Sequence, residues 1–233
     1  MTQTTPSFHT FKSNMNWQNL ISSKRLGKEA EAKPLEERRT EFQRDYDRLI
    51  FSAAFRRMQN KTQVFPLPGS VFVHNRLTHS LEVSSVGRSL GTDVSRELIA
   101  RHPALANTEV TGMGAIVSAA CLAHDMGNPP FGHSGERAIR TYFSEGRGAR
   151  LHQLVTPDGK RLSEAEWLDM TRFDGNANTF RLLTHHFNGR RPGGFVMTYA
   201  TLAPLSNIPT APMPQCANPN SAFSRPSAPP TST

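Results

Sequence analysis

The chain is poor in cysteine and has no long apolar run. Two cysteines, Cys121 and Cys216, are too few for a disulfide framework, so a reducing, cytoplasmic setting is expected. No stretch approaches the ~20 consecutive apolar residues of a membrane-spanning helix. The opening residues, MTQTTPSFHTFKSNMNW, lack the apolar segment of a secretory signal, so neither a membrane partner nor export is expected. Apolar residues make up 36% of the chain, below the ~45–50% of ordinary globular chains, a range that also counts glycine. The shortfall is uneven. Residues 40–143 carry regular apolar stripes and the two ends do not. Acidic residues are absent after Asp174. The net charge is +8, from 27 Lys and Arg against 19 Asp and Glu. That balance suits polyanions such as nucleotides or nucleic acids, and equally a solvated basic surface.

What is present reads as helix. Residues 1–15 are polar and expected to be disordered, and 16–45 form a charged surface arm leading into a helix. Tyr46, Leu49, Ile50, Ala53 and Ala54 sit at helical spacing within 45–60. KTQVFPLPGSVFVHN, 61–75, is a break with two prolines and Gly69, suited to a loop or a small β-hairpin near 62–74. Arg76 to Arg101 predicts one long helix or two, with Leu77, Leu81, Leu90, Val94 and Leu98 at four-residue spacing. Residues 110–126 are the most apolar stretch, stopped by Gly127 and Pro129-Pro130. Further helices are expected over 133–143, after Ser163 with Glu166 at capping-box spacing, and over 174–187, with a loop over 144–162. The fold class is all-α, with one small β element.

The chemistry centres on the adjacent pair His124-Asp125, which closes the apolar helix. A buried carboxylate costs several kcal/mol unless it is paired or binds metal. Imidazole and carboxylate together suit manganese, iron, zinc, nickel or magnesium. An isolated His-Asp dipeptide is equally a capped helix end. His79 lies on an apolar helix 45 positions earlier. After the pair comes GNPPFGHSGE, with His133 and Glu136 three apart on one helical face. A Glu beside a His orients the ring and suits acid–base work; the same spacing also places Glu136 well for the helix dipole.

These motifs, with RRMQNKTQVFPL at 56–67, HNRLTHSLEV at 74–83, FDGNANTFRLL at 173–183 and GGFVMTYATLA at 193–203, resemble the HD-domain superfamily, and within it the deoxyguanosinetriphosphate triphosphohydrolase-like family. The resemblance spans about Trp17 to Ala203. It implies the N-terminal portion of an HD-domain helical bundle over 16–203. His79, His124 and Asp125 would be metal ligands, for Mn²⁺ or Mg²⁺, with Fe²⁺, Zn²⁺ or Ni²⁺ as alternatives. His133 and Glu136 would form the catalytic pair near the α-phosphate, and Arg76 would contact phosphate. Gln59 or Gln63, with Asn176 and Arg181, would line the nucleotide pocket. The implied reaction is hydrolysis of a deoxynucleoside triphosphate to deoxynucleoside and triphosphate. Another HD phosphohydrolase activity (nucleotidase or phosphodiesterase), or non-catalytic binding of nucleotide or single-stranded nucleic acid, are the alternatives. The resemblance also implies a homo-oligomer, the usual state in the family.

The resemblance also implies a distant Asp that completes the metal shell, and no counterpart to it is expected in this chain. From Pro204 the sequence reads PLSNIPTAPMPQCANPNSAFSRPSAPPTST, a Pro-, Ser- and Thr-rich composition expected to be disordered. A frameshift or truncation near Ala203-Pro204 is the expectation, with a natural flexible tail as the alternative. The chain is accordingly expected to be a weak hydrolase by itself.

Overall fold

The computed structural model describes residues 16–30, 39–62, 75–157, 159–187 and 193–206. The fold over these residues is all-α. It contains two isolated bridges, Arg25 with Thr198 and Val155 with Arg161, and no extended strand among the described residues. Residues 63–74 of the expected hairpin, the expected disordered segments 1–15 and 207–233, and Gln63 all lie outside the described residues.

The helices are α1 (Trp17–Leu20), α2 (Glu41–Ile50), α3 (Ala53–Arg57), α4 (Arg76–Arg101), α5 (Met113–Ala123), α6 (Gly132–Ser144), α7 (Glu164–Thr171), α8 (Gly175–Thr184) and α9 (Tyr199–Ser206). Local capping chemistry sets most of their starts. Thr40 and Gln43 form a capping box on α2, Asn75 and Thr78 one on α4, and Ser163 and Glu166 the predicted one on α7. The helix expected over 45–60 begins earlier and breaks at Phe51. Ser52 caps a new helix there, its Oγ accepting from the Phe55 N–H at 3.1 Å. The loop expected over 144–162 contains a 3-10 helix, Arg147–Gln153.

α4 is one unbroken helix, ~39 Å long at 1.5 Å per residue. Three of the expected stripe, Leu77, Leu81 and Leu98, pack half-buried against the core, but the fully buried face lies beside them. The buried residues are Arg76, Ser80, Ser84, Gly87, Gly91 and Ser95, while Leu90 and Val94 are 61% and 50% exposed. Small side chains let α5 approach antiparallel at close range. A Cβ on Gly91 would lie 3.0 Å from the Gly114 Cα. Ser84 Oγ donates to Ser118 O at 2.8 Å, and Ser95 Oγ to Val110 O at 2.9 Å.

The core gathers around α5. Leu122, Ala123 and Met126 meet Leu49 from α2, Phe55 from α3, Leu183 from α8, and Met197 and Leu202 near α9. The expected surface arm is partly interior. Arg25 is buried; its Nη1 donates to Asp45 Oδ1 at 2.5 Å and Val196 O at 2.7 Å, and its Nε pairs with Glu41. Asp45 Oδ2 accepts from the Thr198 N–H at 2.9 Å and hydroxyl at 2.6 Å. This buried network ties the arm and α2 to the start of α9. The boundary expected between residues 203 and 204 falls inside α9, where Leu205 is buried.

Candidate active site

α5 ends at Ala123, and the chain turns through 124–127 before Pro129 and Pro130. The Met126 N–H donates to Ala123 O at 3.0 Å, and the Asn128 N–H to Asp125 O at 3.2 Å. His124 and Asp125 therefore sit on the helix exit, where adjacent side chains can reach one point.

That point also receives His79 from the first turn of α4. One donor atom from each of His79, His124 and Asp125 lies within 4.8 Å of the others. The two imidazoles are 5.4 Å apart, edge to face at 66°. His124 Nδ1 lies 2.7 Å from Cys121 O. A carbonyl only accepts, so Nδ1 carries the proton and Nε2 keeps a lone pair for a metal. Two imidazoles and a carboxylate this close fit a first-row divalent ion.

Asp125 is 5% exposed and Arg76 3%. Arg76 Nη1 donates to Asp125 Oδ2 at 2.6 Å, and Asn128 Nδ2 to Oδ1 at 2.5 Å. Both carboxylate oxygens are thus held, as a buried charge requires. Lys61 backs the turn, its Nζ donating to Met126 O at 3.0 Å. Burial pushes the Lys61 ammonium below its usual range, with Arg76 and Arg57 adding to the shift and Asp125 opposing it.

Beside the ligand cluster opens a cavity of about 430 Å³, lined by Arg76, Asp125, Asn128, Phe131, Gly132, His133, Ser134 and Glu136. Phe131 and Gly132 adopt left-handed backbone, φ 65° and 53°, and reverse the chain into α6. His133 then stands in the first turn, its side chain 94% exposed, above a Glu136 side chain that is 9% exposed. His133 Nδ1 lies 2.9 Å from Glu136 Oε2, and Glu136 Oε1 accepts from the Gly175 N–H at 2.8 Å. Burial works to raise the Glu136 carboxyl. The hydrogen bonds from His133 and Gly175, with the charges of His133 and Arg140, outweigh it and hold the group below the usual carboxylate range. A carboxylate at this position fixes the His133 proton on Nδ1 and leaves Nε2 free to take a proton from the cavity.

Four expected residues, Arg76, Asp125, His133 and Glu136, line this one cavity, and His79 and His124 stand against it through Asp125. The other expected pocket residues lie elsewhere. Gln59 is exposed on a 3-10 turn, Asn176 is half-buried in the first turn of α8, and Arg181 is exposed further along α8; none of the three lines the cavity. Sequence reasoning missed Lys61, Asn128, Asn178 and Thr179. The FDGNANTF motif contained the signal for the last two: Asn178 Nδ2 donates to Gly127 O at 2.9 Å, and Thr179 Oγ1 accepts from the Gly127 N–H at 2.9 Å.

The HD-domain family model matches residues 76–189, the span from Arg76 past the end of α8. A deoxyguanosinetriphosphate triphosphohydrolase-like protein of Synechocystis sp. is 50% identical over 200 residues, covering 84% of this chain and 43% of its own length. One of Pseudomonas aeruginosa is 45% identical over 195 residues, covering 84% of this chain and 42% of its own. A deoxyguanosinetriphosphate triphosphohydrolase of Serratia proteamaculans is 38% identical over 168 residues, covering 61% of this chain and 32% of its own. The chain thus spans less than half the length of the relatives it matches. With the ligand cluster, the His133–Glu136 pair and these likenesses in agreement, the chain belongs to the deoxyguanosinetriphosphate triphosphohydrolase-like family of HD-domain proteins.

Proposed function

We propose that this site serves metal-dependent hydrolysis of deoxynucleoside triphosphates to deoxynucleoside and inorganic triphosphate. The observation that carries the reading is the convergence of Arg76, Asp125, His133 and Glu136 on one cavity, beside the ligand cluster of His79, His124 and Asp125.

His79, His124 and Asp125 would hold the divalent ion, Mn²⁺ or Mg²⁺ by preference. When bound, it supplies Lewis-acid polarisation of a phosphoryl oxygen and lowers the pKa of water. Arg76 pairs with Asp125 and offers its guanidinium at the cavity wall, where a phosphate oxygen can share it. His133, exposed in the cavity wall with Nδ1 held by Glu136, moves a proton at the α-phosphate through Nε2. Glu136 orients the His133 ring and stabilises its imidazolium form. Phe131 shields one side of the cavity. The protein works in the cytoplasm in this reading, and single-stranded nucleic acid is a second polyanion that its basic surface would accept.

Product identity tests the proposal. Residues 1–233 are incubated with dGTP and Mn²⁺, and the products are separated by ion exchange. Inorganic triphosphate, lost on His133→Ala, is the expected outcome, at low turnover because the described residues supply three metal ligands. Pyrophosphate or monophosphate as the leaving product would overturn it in favour of a different HD phosphohydrolase.

A further inference from the structure

We propose that Thr179 is the positioning residue that sets the geometry of the metal-ligand turn, an inference that rests on the metal-site reading above. Thr179 is 1% exposed in the second turn of α8. Its Oγ1 accepts from the Gly127 N–H at 2.9 Å. Its proton is shared between His124 O at 3.0 Å and Gly175 O at 3.1 Å. Gly127 N–H and His124 C=O are the two ends of the turn that displays both His124 and Asp125. Each is a backbone group that the end of α5 leaves without a helical partner. One hydroxyl therefore closes the turn on itself and ties it to a second helix.

The neighbouring geometry has the same purpose. Asn178 Nδ2 donates to Gly127 O at 2.9 Å, so consecutive residues of α8 hold both polar groups of Gly127. A Cβ on Gly127 would lie 2.1 Å from the Thr179 nitrogen, so turn and helix meet backbone to backbone. α8 also reaches the catalytic pair, since the Gly175 N–H bonds Glu136 Oε1 at 2.8 Å. Metal turn and acid–base pair are thus referenced to the same helix, and Thr179 is its buried contact with the metal half. Partners behind the ligands of a metal site fix their orientation, and losing one typically costs about 10–100-fold in metal affinity.

The experiment compares Mn²⁺ affinity of wild-type 1–233, Thr179→Val and Thr179→Ser, by titration calorimetry and by the electron-spin signal of free Mn²⁺. Valine keeps the shape and removes the hydroxyl; serine keeps the hydroxyl. Expected are a ~10–100-fold weaker affinity for Thr179→Val and the wild-type value for Thr179→Ser. Equal affinity of Thr179→Val and wild type overturns the role of Thr179 and leaves the metal site intact. Absence of Mn²⁺ binding by the wild type overturns the metal site, and this inference with it. If circular dichroism shows Thr179→Val unfolded, Thr179→Ala replaces it under the same criteria.

Discussion

Arg76 Nη1 stands 2.6 Å from Asp125 Oδ2, and the two side chains are only 4% and 7% exposed. The pair joins the start of α4 to the carboxylate of the candidate metal site. Removing one partner of a buried ion pair leaves the other charge uncompensated, at a cost of about 3–5 kcal/mol. Arg76→Met is therefore expected to lower the melting temperature sharply. Saturating Mn²⁺ is expected to recover part of the loss, because a bound cation again compensates Asp125. Thermal unfolding with and without Mn²⁺ checks both halves. A melting temperature unchanged by the substitution would contradict the pairing.

His79 and His124 enter the cluster from different helices, so neither can substitute for the other. Wild-type protein is expected to gain about 2.7 kcal/mol of stability at a Mn²⁺ concentration 100 times its dissociation constant. His79→Ala and His124→Ala are each expected to lose most of that gain while melting near the wild-type temperature in chelator. Calorimetry in Mn²⁺ and in EDTA reads the difference.

Glu136 is buried and held below the ordinary carboxylate range, with burial opposing the shift and the bonds from His133 and Gly175 causing it. A depressed folded-state pKa gives stability that is present above the unfolded value and lost as pH falls through the folded one. Urea midpoints measured downward from pH 7 should therefore fall more steeply for wild type than for Glu136→Gln below the ordinary carboxyl pKa of about 4.3. Parallel acid profiles would show that the carboxylate is not stabilised as described.

Tyr199 gives the opposite case. Burial pushes its hydroxyl up to about 12, and its hydrogen bond to Glu29 adds to the shift. A raised folded-state pKa contributes stability below the unfolded value near 10, and that contribution disappears as pH rises toward 12. Spectrophotometric titration should show one phenol ionising after the others, and Tyr199→Phe should remove that late step. A late step that survives the substitution belongs to another tyrosine.

The sequence carried the element types and the meeting of His79, His124 and Asp125 further than it carried the packing. His79, His124 and Asp125 come together as their motifs imply, because the apolar helix, its Gly127 stop and the flanking prolines leave the pair one place to go. The four-residue stripe of α4 is legible in part: Leu77, Leu81 and Leu98 pack against the core, while Leu90 and Val94 face out and the seam with α5 is the face without bulk, Ser84, Gly87, Gly91 and Ser95. Hydrophobicity patterns register large side chains and pass over the small ones that let two backbones approach. Arg25 was similarly illegible, since its burial depends on Glu41, Asp45 and Val196, distant in the chain and brought to one point only by the fold. Asn178 and Thr179 were hidden for a related reason. The FDGNANTF motif marks the segment that holds them, but their partners are backbone atoms of Gly127, which the motif does not name.

The seam between α4 and α5 has a consequence at its far end. His79 rides on one helix and His124 on the exit of the other, so the helices work as the arms of a pair of calipers whose jaws are the two imidazoles. Gly91 and Gly114 meet twelve residues from His79, ~18 Å away along the helix. A methyl group on Gly91 would meet the Gly114 backbone at 3.0 Å and press the two arms apart by a few tenths of an ångström, at the seam that both imidazoles share.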